Sequence, residues 1–152
     1  MSHGTQRARA VAAAMTIALA SLLIGCHANG SAATDLGAQA TLTLDQPAMA
    51  SFTQPDDQIR SSGLMDKHDS TGVALLDIPV TQGNRVFINI PNGTFDDFEV
   101  HLPDGTIQHP KAAPNAEGVL EAYFEAKQTE TLRLVVFGRA GASFTVSANS
   151  RP

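Results

Sequence analysis

One cysteine, no tryptophan and a single tyrosine in 152 residues set the first limits on this chain. With Cys26 alone, no disulfide can form within the chain, so the stability of whatever folds downstream comes from packing. The same count excludes a cysteine-based zinc site and a cysteine nucleophile from the region after Cys26. Long apolar runs are missing too. The longest, Val11 to Ile24, interrupted only by Thr16 and Ser21, is about 14 residues against the ~20 a helix needs to cross a hydrocarbon core.

Catalytic motifs are also absent. There is no Gly-x-Ser-x-Gly elbow, no phosphate-binding glycine loop and no helical zinc-binding motif. Glu121 and Glu125 fall on one face of a predicted strand about 13 Å apart, too far for the paired carboxylates of glycoside hydrolysis. These residues do not spell an enzyme. Basic residues are scarce: 10 Lys+Arg against 15 Asp+Glu. Two of the ten, Arg7 and Arg9, precede residue 26, leaving 8 − 15 = −7 for the remainder. That balance disfavours nucleic acid and anionic lipid headgroups as partners and suits a cationic one.

What is present begins with an export signal. Arg7 and Arg9 form a positive start without acids, the apolar run follows, and Leu23-Ile24-Gly25-Cys26 closes it. That closing motif resembles the lipobox of bacterial lipoproteins. The resemblance implies that residues 1–25 are removed and that Cys26 is lipidated as the new N-terminus. His27, where the family's inner-membrane retention signal has Asp, implies a periplasm-facing protein of the outer membrane, held through its lipid alone. Residues 26–38 are small and polar without periodicity and predict a flexible tether. Residues 39–152 are then the single folded domain.

Period-two alternation dominates that domain. It predicts strands at Thr41–Leu44 and Met49–Thr53, then over Val73–Val80, Arg85–Ile90, Phe98–Leu102, Val119–Ala126, Leu132–Phe137 and Phe144–Ala148. Turns fall at Thr81-Gln82-Gly83-Asn84, Pro91-Asn92-Gly93 and Pro103-Asp104-Gly105, and 109–117 reads as a loop. Pro55-Asp56-Asp57 signals a short helix start and Gly63 its stop, within an irregular segment 54–71. The expected fold is all-β, an antiparallel, jelly-roll-like β-sandwich of about eight strands.

The run from Ile78 to Ile88, Phe95 to Thr106 with its Pro-Asp-Gly ending, Leu132–Val136 and Ser143–Val146 together resemble bacterial pre-peptidase C-terminal domains. Periplasmic lysozyme inhibitors are expected to share such a sandwich. Their invertebrate-type members use a Ser-Gly loop with a nearby Tyr. Ser62-Gly63 matches the dipeptide here, but Leu64 and Met65 follow, and the single tyrosine, Tyr123, sits in a predicted strand.

Candidate binding residues follow from these readings. Ile59, Ser62, Gly63, Leu64 and Met65 in the irregular segment are candidates for anchoring a protein partner. Asp96, Asp97 and Glu99 are a candidate Ca²⁺ site, although Asp96 points away from the other two in an extended strand. His101 and His109 flank the Pro-Asp-Gly turn and, with Asp104 or Glu99, would begin a transition-metal site. His68, between Lys67 and Asp69, is expected to face solvent. Three functions stay open: a non-catalytic protein-binding module of the periplasm, an inhibitor of a cationic peptidoglycan hydrolase, and a structural or metal-binding envelope lipoprotein.

Overall fold

The computed structural model describes residues 33–151. The expected signal peptide, the lipobox-like motif and Cys26 lie outside the described residues. Among those described, no helix is long and apolar enough to cross a membrane.

The alternating segments pair into two five-stranded sheets. The first contains β1 (Ala40–Thr41), β3 (Gly72–Val80), β9 (Glu130–Gly138), β5 (Asp97–His101) and β6 (Ile107–Gln108), in that spatial order. The second runs β2 (Pro47–Ser51), β10 (Ser143–Arg151), β4 (Arg85–Pro91), β8 (Val119–Glu125) and β7 (Ala112–Pro114). All neighbours are antiparallel except β1 with β3. The all-β sandwich expected from the alternation is therefore what forms.

Strand number is ten where eight are expected, because two further pieces are too short for their periodicity to show. β6 and β7 have two and three residues, and β7 lies inside the stretch 109–117 that the prolines mark as a loop. Thr41–Leu44 contributes only its start to a strand, since Leu42 turns into the core with 1 % exposure. Pro79 is tolerated near the end of β3 because β1 reaches only as far as Asp77, so beyond that point the β3 edge needs no further ladder donors.

The main core fills the space between the sheets, and its members are those the alternation assigns inward. Val86, Ile88 and Ile90 of β4 meet Leu132, Leu134 and Val136 of β9 and Phe144, Val146 and Ala148 of β10. Phe52 stacks on Phe144 with ring centroids 4.5 Å apart, and the far end of its ring lies against Gly138.

A second, smaller core sits on the outer face of the first sheet. Val73, Leu75, Val135 and Phe137 point away from the sandwich yet are buried beneath Ala33, Leu36, Ile59 and Leu64. Two chain segments supply that cover. One is α1 (Asp57–Ser61), capped by Asp56, whose side chain accepts the Ile59 N–H at 2.8 Å. Gly63 ends it at φ 75°, a conformation that suits glycine. Pro55 thus precedes the cap instead of opening the helix. The other is the 3-10 turn Ala33–Asp35.

That turn alters the expected tether. From Ala33 onward the chain is docked, because Arg133 reaches out of the sheet and donates to the carbonyls of Ala33 and Leu36, both at 2.6 Å. Arg133 also donates to Asp77 Oδ1 at 2.7 Å. A buried guanidinium needs acceptors, and residues 33–36, a strap across this face of the sheet, supply the two that the neighbouring strand does not.

Candidate functional site

The outer face of β5 carries Asp97, Glu99 and His101, as the strand's alternation requires, while Phe98 and Val100 enter the main core. Glu99 is only 7 % exposed and is surrounded by histidines. His101 lies 2.8 Å from it, His68 3.4 Å and His109 3.9 Å. These are the only three histidines after His27 in the sequence, and all converge on one carboxylate.

Each ring is placed by a different element. His101 belongs to β5 itself and is completely buried. Its Nδ1 accepts the Ala33 backbone N–H at 3.0 Å, so the ring proton resides on Nε2 and is donated to Glu99 Oε2. The strap therefore fixes the tautomer of His101. His68 comes from the irregular segment after α1. It was expected to face solvent, but its side chain is 9 % exposed and stacks on Phe137 at 3.5 Å between ring centroids. The outer-face aromatic of β9 provides a platform that no local sequence pattern reveals. His68 Nδ1 faces Asp97 Oδ2 at 3.5 Å while its Nε2 faces Glu99 Oε1. His109 follows β6 and stays 66 % exposed.

Burial by itself would push the Glu99 carboxyl up. The hydrogen bond from His101 and the nearby imidazoles outweigh it, so the carboxyl lies below its ordinary value of 4.5. After the hydrogen bond, the electrostatic help comes from His101 first, then His109 and His68. Glu99 is thus an ionised carboxylate, with Oε2 engaged by His101 and Oε1 turned toward the other two rings.

Over this cluster opens a cleft of about 450 Å³. Ser61, Ser62, Gly63, Leu64, Asp66 and Lys67 form one side, and Glu99, His101 and Ile107 the floor and far side. The candidate partner-binding residues divide accordingly. Ser62 and Gly63 line the cleft, though the Ser62 hydroxyl is held by the Ile59 carbonyl at 2.7 Å. Ile59 and Leu64 are 6 % and 9 % exposed, so their apolar surface is used in holding the segment to the sheet and is not presented as interface anchors. Met65 packs half-buried against the same small core.

The candidate Ca²⁺ ligands are not brought to one point. Asp96 accepts a hydrogen bond from Ser70 Oγ at 2.6 Å, away from Glu99. Asp97 turns one oxygen to the Phe98 N–H and the other to His68. The neighbours of Glu99 are nitrogens, which do not suit calcium. His101 and His109, paired in the sequence reading, do share Glu99. Asp104 is occupied in its own turn, accepting from the Thr106 N–H at 2.8 Å. Tyr123 lies on the opposite sheet beside Phe87, far from Ser62-Gly63 in the fold.

No family model matches the chain, and no curated protein matches it in sequence. Among solved structures, the pre-peptidase C-terminal domain of collagenase from Bacillus anthracis is similar over 76 % of this chain and 97 % of that domain, with a TM-score of 0.45 and 14 % identity.

Proposed function

We propose that the protein is an envelope lipoprotein, anchored through Cys26 and facing the periplasm, whose β-sandwich is a non-catalytic module that binds a protein partner. The observation that carries the binding reading is the cleft between residues 61–68 and the outer face of β5 and β6. It is a concave, polar-floored site with an apolar rim residue, Ile107, 39 % exposed. Such a rigid sheet with a loop-built wall is how binding sites are commonly positioned.

The anchor would hold this site close to the bilayer. Seven residue steps separate Cys26 from the docked Ala33, a reach of at most ~25 Å. Because Ala33 itself bonds to His101, the tether leaves from the cleft's own face. A partner at or near the membrane surface is favoured by that arrangement. The net charge of −7 after residue 25 (8 − 15) favours a cationic one.

A photo-crosslinking residue at Ile107 of the full lipidated chain tests the reading. The expected result is one dominant adduct that excess purified protein competes away, and a competitor carrying Asp66→Lys in the cleft wall fails to compete. A basic peptidoglycan hydrolase in that adduct would narrow the function to inhibition. Absence of any specific adduct from Ile107, with normal membrane recovery of the protein, would refute the cleft as a partner site. The anchor is tested separately: Cys26→Ser should move the folded protein from the membrane to the soluble fraction, and retention at the membrane would overturn lipidation.

A further inference from the structure

We propose that Glu99, His68 and His109 bind a divalent transition-metal ion of the zinc type at the floor of the cleft. The argument begins with Glu99 Oε1. Its sister oxygen is engaged by His101, whereas Oε1 faces His68 Nε2 at 3.4 Å and His109 Nε2 at 3.9 Å. Neither contact is a hydrogen bond in these positions. In a tetrahedral zinc site, ligand bonds of 2.0–2.2 Å place neighbouring donor atoms about 3.4 Å apart. The spacing of Glu99 Oε1 and His68 Nε2 equals that edge.

The orientation of His68 strengthens the point. Its Nδ1 faces Asp97 Oδ2 at 3.5 Å and its Nε2 faces Glu99 Oε1 at 3.4 Å, so the ring lies between the two carboxylates with Nε2 toward Glu99. Stacking on Phe137 keeps the ring from turning away. Asp97–His68 and His101–Glu99 are thus the outer pairs that orient metal ligands in known site chemistry, one carboxylate behind a histidine and one histidine behind a carboxylate.

Among the described residues, no group of three or more such side chains is already gathered to metal-ligand geometry. His109 is the ligand that must close. Its side chain is two-thirds exposed, so nothing packs against most of it to resist the movement. Nitrogen donors with a single carboxylate select zinc, nickel or copper over calcium and magnesium. The fourth position faces the cleft, where water or a donor from a partner completes the shell. This inference does not rest on the partner-binding reading, since the three ligands belong to the chain itself.

The test is titration of the full chain carrying Cys26→Ser, which removes the thiol as a competing ligand, with zinc against a chromophoric chelator. One equivalent of zinc is expected. His109→Ala and His68→Ala should each weaken it at least tenfold, and cobalt should give the absorption of a tetrahedral site. Asp97→Asn, acting only through His68, is expected to weaken zinc about tenfold while leaving the stoichiometry at one. His109→Ala is the decisive variant because its exposed ring contributes little to folding, which an unchanged urea midpoint would verify. Absence of stoichiometric zinc binding, or binding that His109→Ala leaves unchanged, overturns the proposal. Crosslinking from Ile107 repeated with a chelator present separates this outcome from failure of the partner site.

Discussion

Replacing Arg133 with Met is the perturbation that most directly tests how the cleft is held together. The side chain is 7 % exposed and makes three hydrogen bonds, to Asp77 and to the Ala33 and Leu36 carbonyls. Hydrogen bonds to charged groups contribute about 1.5–3 kcal/mol each, and breaking a buried ion pair costs about 3–5 kcal/mol. Those figures cannot simply be summed. Asp77 is 26 % exposed and regains water, and the strap carbonyls do the same if the strap lifts. What is then lost is the docking of the strap, including the burial of Leu36, itself about 1.5–3 kcal/mol. A total near ~3 kcal/mol is expected, lowered from the buried-pair range by Asp77's access to solvent. Urea unfolding measures it, and amide exchange at Ala33 and Leu36 reports whether the strap has lifted. The cycle with Leu36→Ala is the sharper assay. In the native background that substitution should cost about 2 kcal/mol; in Arg133→Met it should cost almost nothing, because the strap is already undocked. An equal Leu36→Ala cost in both backgrounds, or an Arg133→Met effect below ~1 kcal/mol, would refute the account of Arg133 as the strap's anchor.

Three further outcomes follow from the packing and charge of the domain. Gly138→Ala places a Cβ 2.6 Å from the Phe52 ring, so the stacked Phe52–Phe144 pair must shift and the urea midpoint should fall by the equivalent of about 1–3 kcal/mol; an unchanged midpoint would mean the ring has room to move. Leu64→Ala removes the plug between the irregular segment and β3 and β9, and should cost about 2 kcal/mol while raising amide exchange across 62–68 more than in the sandwich core. The lowered Glu99 carboxyl contributes stability that is present above its unfolded value and lost as pH falls through the lower folded one, below the ordinary 4.5. Glu99→Gln should therefore flatten the acid limb of the stability profile in that window, and an identical acid limb would show that Glu99 does not couple to folding.

The sandwich was legible from residues alone because one-sided burial forces period-two alternation. Val86, Ile88 and Ile90, or Phe144, Val146 and Ala148, have no other reason to alternate with polar neighbours, and each triad is in the core. β6 and β7 were not legible, because two or three residues cannot display a period. Arg85–Ile90 needed one face buried; β9 needed two, since Val135 and Phe137 face outward and are buried there as well. The cover proved to be α1, Leu64 and a strap that looked like featureless tether.

For the site, the sequence determined the inventory and the tertiary structure determined the meeting. Alternation along β5 was enough to put Asp97, Glu99 and His101 on one face, and the scarcity of cysteine left histidine and carboxylate as the available metal donors. The lipobox resemblance at Cys26 likewise needs nothing beyond adjacent residues. Only the fold could bring His68, 31 positions before Glu99, onto Phe137 and turn it toward the carboxylate. Only the fold could spend Ile59 and Leu64 on packing and lay Ala33 against His101. Local periodicity records which face of an element is buried, whereas convergence of distant segments is set by sheet order and by what covers the outer face, and neither leaves a periodic mark.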